Sequence, residues 1–99
     1  MAKKLSVIVP AYNEGNRLEE ASIEILQSFP HVELIICNDG SSDNTSNINL
    51  KLGSKIKYIE NGINKGKGFS VRKGMLAATG DYLIFTDADL PFGVEGFRK

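Results

Sequence analysis

The apolar positions of this chain fall into four short continuous runs, with helical or polar stretches between them. Residues 5–9 form a β-branched run closed by Pro10, which reads as a strand buried on both faces. Residues 32–37 form a second such run, interrupted by Glu33, and residues 56–59 a shorter third. Residues 82–85 form a fourth, partly aromatic, bounded by Gly80 and further on by Pro91, and it too reads as buried on both faces. Between the first two runs, Leu18, Ala21, Ser22, Ile25, Leu26 and Phe29 keep the spacing of one helical stripe. Asn16 followed by Glu19 has the form of a capping box, and Pro30 ends the helix.

After the second run, Ser42 or Asp43 would cap a short helix reaching Leu52, with Gly53 at its stop. After the third, the spacing predicts a helix over 69–78 with Val71, Gly74, Met75 and Ala78 on its buried stripe, and Gly74 would let it lie close on the sheet. Residues 93–99 have the start of another helical pattern. Strands alternating with helices at ordinary spacing predict an α/β fold: a Rossmann-like parallel sheet of about four strands with right-handed crossovers and helices on both faces. Ligands of such sheets bind outside the carboxyl ends of the strands. The unusual residues of this chain fall there, at 10–14, 38–43, 64–68 and 87–89.

Composition narrows the function classes. The chain has 99 residues, enough for one small domain, and its 12 basic and 12 acidic residues balance without a block of like charge. Bulk electrostatic binding to nucleic acid or anionic lipid is therefore not expected. The longest apolar runs are about five residues, far short of the roughly 20 needed to cross a bilayer, and the first four residues lack the apolar core of a signal peptide. With a single cysteine, Cys37, the expected location is cytoplasmic, and Cys37 itself reads as a small buried hydrophobe. One cysteine and one histidine, His31, cannot assemble a zinc site or a Ser-His-Asp triad.

Two stretches carry candidate chemistry. Asp87 and Asp89 follow the fourth strand, and in extended backbone their Cα atoms would stand about 6 to 7 Å apart on one side. Two carboxylates so placed need a proton, a basic side chain or a divalent cation between them; the bland alternative is that one of them caps the following turn. Asn64-Lys65-Gly66-Lys67-Gly68 offers open backbone N–H groups, two lysines and a helix N-terminus to phosphate oxygens, or else is a solvated flexible loop. It is neither a dinucleotide fingerprint, since Val71 stands where the third glycine belongs, nor a Walker A loop. Tyr12 could stack on a flat ring, and Arg72 could reach a ligand at the strand ends; either could equally be an ordinary rim residue.

Taken in order, residues 7–14, 38–43, 64–68 and 80–89 resemble the nucleotide-binding half of the family 2 glycosyltransferases, over nearly the whole chain. The loop with Val71, Arg72, Lys73, Gly74 and Met75, and the Asp87-Ala88-Asp89-Leu90 segment, are most similar to enzymes that move glucose or mannose to polyprenyl or dolichyl phosphate. The resemblance implies part of a GT-A fold and a donor that is a UDP- or GDP-sugar, bound with Mg²⁺ or Mn²⁺ and transferred with inversion. It implies that Pro10, Ala11, Tyr12 and Glu14 line a nucleoside pocket, that Asp39 accepts from the base with Arg72 beside it, and that Lys67 and Ala88 belong to the donor site. Asp87 would lie near the ribose and Asp89 on the metal, with both counted as metal-site residues.

Two positions depart from the family. Asn38 stands where a second aspartate is frequent, and Pro91 where the lipid-phosphate branch has a glutamine. Members also continue into an acceptor-binding half that holds any catalytic base, so residues 1–99 are expected to be the donor half, at the cytoplasmic face of a membrane in a longer parent. The alternative expectation is an inactive fragment that binds nucleotide or pairs with a second copy through an exposed sheet edge.

Overall fold

The computed structural model describes residues 4–13, 16–41 and 47–86. Its elements are β1 (Leu5–Ala11), α1 (Asn16–Ser28), β2 (Glu33–Asn38), α2 (Ile48–Leu52) with a 3-10 turn Gly53–Lys55, β3 (Lys57–Glu60), α3 (Lys67–Ala77) and β4 (Tyr82–Phe85). The four strands form one parallel sheet in the order β3-β2-β1-β4. The α/β sheet read from the apolar runs is what the chain forms. The predicted starts of α2 and the predicted helix over 93–99 lie outside the described residues.

β1 runs two residues past its expected end and carries Pro10 inside it. In a parallel ladder one residue turns its N–H and C=O toward the same neighbour, and successive residues alternate. Asp39 N–H donates to the Ala11 carbonyl and Thr86 N–H to the Ile8 carbonyl, so Ala11 faces β2 while Ile8 and Pro10 face the β4 side. The β1–β4 pairing ends at Ile8 and Phe85, so the missing Pro10 N–H falls beyond the ladder.

Alternation along the central strands divides the core. Val7, Val9 and Ala11 of β1 and Leu34 and Ile36 of β2 pack with Leu18 and Ile25 of α1 and Ile48 of α2. Ile8, Ile35 and Cys37 point to the opposite face, where α3 lies. The α1 stripe is the expected one: Leu18, Ala21, Ser22 and Ile25 are buried, and Leu26 and Phe29 pack against them. Burial of a side chain such as Leu18 or Ile25 contributes about 1.5 to 3 kcal/mol.

α3 differs from expectation. Its buried residues are Ser70 and Gly74, whereas Met75 is 46% exposed. A Cβ built on Gly74 would stand 2.5 Å from Ile8 Cγ2 and 3.0 Å from Cys37 Sγ, so the helix seats its smallest residues on the sheet. Replacing Gly74 with alanine is expected to cost about 1 to 3 kcal/mol by forcing Ile8 and the helix apart, despite the better helix propensity of alanine. Urea unfolding of Gly74→Ala measures this, and a variant as stable as the parent would refute the close seating.

β4 also departs from its expected double burial. Tyr82, Leu83 and Phe85 are 57%, 44% and 58% exposed, because β4 is an edge strand among the described residues and β1 and β2 hold the two central positions. No helix among the described residues is long and apolar enough to cross a membrane.

Candidate functional site

The chain runs from β1 to β2 to β3 in one direction across the sheet and then returns, through α3, to place β4 on the far side of β1. The carboxyl ends of β1 and its neighbours therefore surround the point where strand order reverses, which is where open α/β sheets bind ligands. An open cavity of ≈ 250 Å³ lies there, lined by Pro10, Ala11, Tyr12, Asp39, Asn64, Gly66 and Lys67. Ligand pockets commonly run from about 300 to 1,000 Å³, so the cavity formed by the described residues falls just below that range.

Five residues picked out from the sequence are thus brought together: Pro10, Ala11, Tyr12, Asp39 and Lys67. Arg72 is not; it is exposed on α3 and does not line the cavity. Glu14, Asp87, Ala88 and Asp89 lie outside the described residues, as does Pro91. Asn64 and Gly66 join the lining.

Asp39 organises one wall. Only 4% exposed, its Oδ1 accepts from the Lys65 amide at 2.7 Å and Asn61 Nδ2 at 2.8 Å, and its Oδ2 from the Gly66 amide at 2.8 Å. Burial alone would raise its pKa, but these donors, with the Ser70 hydroxyl, outweigh burial and hold the carboxyl below its ordinary value. This corrects the expectation of open loop amides: two of them already serve Asp39. Gly40 follows with φ +71°, and a Cβ there would collide with the backbone of Ile63 and Asn64, so the turn after β2 and the glycine-rich loop touch. Gly66, at φ +97°, then enters α3, and the first turn of that helix brings Lys67 to the cavity.

Behind the wall lies a second polar group. Asn38 is fully buried; its Oδ1 accepts from the Ser41 amide at 3.2 Å and the Ser41 hydroxyl at 2.5 Å, and its Nδ2 donates to Tyr58 Oη at 2.8 Å. Asn61, Ser70 and Tyr58 were not recognisable as site residues from sequence; Asn61 reads there only as a turn residue, and nothing marks the other two. Cys37, beside this wall on β2, is buried as expected. Burial pushes its thiol up to about 11, against the opposing pull of Lys73, so it is no nucleophile at neutral pH.

The family model described as glycosyl transferase family 2 matches residues 6–94. The chain belongs to that family. Among curated relatives, the dolichyl-phosphate beta-glucosyltransferase of Drosophila melanogaster is 42% identical over 100 residues, covering 87% of this chain and 31% of the relative. Among solved structures of the family's GT-A fold, the mannosyltransferase PcManGT from Pyrobaculum calidifontis, in complex with GDP-Man and Mn²⁺, superposes with a TM-score of 0.80 at 25% identity, covering 90% of this chain and 28% of that one. Staphylococcus aureus TarS 1–349, in complex with UDP-GlcNAc, gives 0.78 at 29% identity over 87% and 26% of the two chains. The chain spans less than a third of the length of the curated relatives it matches. Its relatives and structural neighbours are glycosyltransferases of α/β, Rossmann-like architecture, and the neighbours bind nucleotide-sugar donors.

Proposed function

We propose that residues 1–99 are the donor-binding half of a metal-dependent, inverting glycosyltransferase that moves a hexose from a UDP- or GDP-sugar to polyprenyl or dolichyl phosphate. The observation that carries this reading is the cavity at the strand-order reversal, walled by Pro10, Ala11, Tyr12, Asp39 and Lys67, in a chain of this family. The partly exposed Tyr12 ring, with Pro10 and Ala11 beside it in the lining, suits the face of a nucleobase, and we assign Glu14 to the same nucleoside pocket. A carboxylate has about four lone-pair positions, and Asn61, Lys65, Gly66 and the Ser70 hydroxyl all draw on them. Asp39 is accordingly a loop anchor first, and a base N–H would share an oxygen with one of these donors. Lys67 sets a positive charge where a diphosphate would lie, and Arg72, one turn further along α3, would meet the donor only from the rim.

The metal fits the donor set. In sequence Asp87, Ala88 and Asp89 follow directly on Thr86, the residue after β4, whose N–H donates to the Ile8 carbonyl. Carboxylate oxygens are hard ligands suited to Mg²⁺ or Mn²⁺. We assign Asp89 to the ion and Asp87 to the ribose and ion. When bound, such a cation would offset the charge that develops on the departing nucleoside diphosphate. The similarity to dolichyl-phosphate beta-glucosyltransferase supports a lipid-phosphate acceptor met at a membrane face. The other expectation, an inactive self-pairing fragment, is not favoured by these relatives.

Calorimetric titration of the chain with UDP and GDP tests the reading. One of the two is expected to bind, about tenfold or more tightly with Mn²⁺ than without, and Asp89→Ala is expected to abolish that metal increment while leaving the metal-free affinity near the parent's. Absence of binding to both nucleotides would overturn the proposal.

A further inference from the structure

The Asn38 group does more than fill the space behind the wall. Its hydrogen bonds continue in both directions. On one side Asn13 N–H donates to Ser41 Oγ at 2.9 Å, and the Ser41 hydroxyl donates to Asn38 Oδ1. On the other, Asn38 Nδ2 donates to Tyr58 Oη, and Tyr58 O–H donates to Glu60 Oε1 at 2.5 Å. Every donor in this series points the same way, from the backbone beside Tyr12 to a carboxylate on β3. Neighbouring bonds in such a series polarise one another.

Only an amide at position 38 permits this direction. Asn38 accepts from Ser41 and donates to Tyr58 at once. A carboxylate there would accept from both hydroxyls, drawing Tyr58 O–H away from Glu60 and leaving two carboxylates to share one proton donor. Tyr58 keeps the proton it donates: burial, the hydrogen bond to Glu60 and the Glu60 charge raise its hydroxyl to about 12, despite the opposing Asn38 contact.

The Asn13 end matters because of its backbone. Asn13 sits at φ 53°, a left-handed conformation that asparagine tolerates but that must be held in place. It follows Tyr12, whose half-exposed ring lines the cavity. We propose that Glu60, Tyr58, Asn38 and Ser41 form a positioning relay that fixes the Tyr12-Asn13 turn, and with it the lip of the nucleotide cavity, from the far side of β2. These are positioning residues; none of the four lines the cavity. The inference rests on the proposed nucleotide site for its functional consequence, but not for its structural one.

Two measurements on the intact chain keep those apart. Amide hydrogen exchange needs no ligand: Tyr58→Phe, which deletes one hydroxyl on β3, is expected to speed exchange at Asn13 roughly tenfold while the core amides of β1 keep the parent's rates. Titration with UDP or GDP, whichever the parent binds, is expected to show affinity reduced roughly five- to twentyfold in Tyr58→Phe and Ser41→Ala, and restored in Ser41→Thr, which keeps the hydroxyl. Unchanged exchange at Asn13 in Tyr58→Phe would overturn the relay, and so would acceleration spread evenly over β1, since that is loss of stability alone. A parent chain that binds neither nucleotide would overturn the proposed function, and the exchange result would still decide the relay.

Discussion

Replacing Asp39 with alanine is expected to weaken nucleotide binding by about 30-fold or more and to open the glycine-rich loop. The Lys65 and Gly66 amides and Asn61 Nδ2 converge on this one carboxylate, which is 4% exposed. Leaving a buried donor without a partner costs about 1 to 3 kcal/mol. The loop can turn some of these donors to water, so a net loss of about 2 to 4 kcal/mol is the reasonable range, and 1.4 kcal/mol is a factor of ten in affinity. Asp39→Asn should do nearly as much damage. Its amide can accept through one oxygen only, and its NH₂ would face the amide hydrogens that now point at Oδ1 or Oδ2.

Titration with UDP and GDP, together with hydrogen exchange over residues 64–68, checks both parts. An Asp39→Asn protein with the parent's affinity and a protected loop would refute the anchoring role. The sign of the pH effect follows from the direction of the shift. Because the folded carboxyl lies below its ordinary value, its stabilisation is complete above roughly pH 4 and is lost only as pH falls through the lower folded value. This group therefore leaves binding flat between about pH 5 and 8.

The second large effect lies at the opposite end of the sheet. Glu33, at the start of β2, accepts from the Ser6 hydroxyl at 2.7 Å, from the Thr79 amide at 2.8 Å and hydroxyl at 3.0 Å, and from Lys57 Nζ at 2.9 Å. Lys57 Nζ also donates to the Ala77 carbonyl, where a cation complements the C-terminal end of α3. Burial works to raise the carboxyl, but the Thr79 amide, Ser6, Lys57 and the Thr79 hydroxyl together bring it from 4.5 down to about 2. At 1.36 kcal/mol per pH unit that difference is worth roughly 3 kcal/mol. The Glu33 side chain is 11% exposed, so little of this is screened, although Lys57, 42% exposed, supplies only a small share.

Glu33→Gln is thus expected to lose about 2 to 3 kcal/mol at pH 7, a fall in Tm of the order of 10 to 20 °C for a domain of this size. The depressed carboxyl stabilises fully above pH 4.5, progressively less as pH falls toward 2, and not at all below. Parent and Glu33→Gln should differ most near neutral pH and converge at about pH 2, which paired thermal melts would show. Parallel curves across that window would refute the assignment.

These two carboxylates show where sequence reading stops. The neighbourhood of Asp39 is legible in the sequence, because aspartate and glycine at a strand end mark a turn at the carboxyl end of the sheet. That its oxygens would be met by amides 26 and 27 residues later depends on two loops touching at Gly40, which no local pattern encodes. Glu33 reads in sequence as a mere interruption of an apolar strand, and its role exists only because α3 ends beside it. The same limit explains β4. Its apolar run predicts burial, but exposure is set by the position of a strand in the sheet, and strand order is a long-range property.

Residue patterns alone were enough for the four strands, the α1 stripe, the parallel α/β architecture and the gathering of polar segments at the carboxyl ends, since each follows from periodicity, turn chemistry and crossover handedness over short spans. Tertiary structure decided the rest: which face of α3 meets the sheet, which loop amides Asp39 takes, and how Asn38 joins Glu60 to the Tyr12-Asn13 turn. Each of these depends on groups brought to hydrogen-bond or van der Waals distance by packing, from positions far apart in the chain.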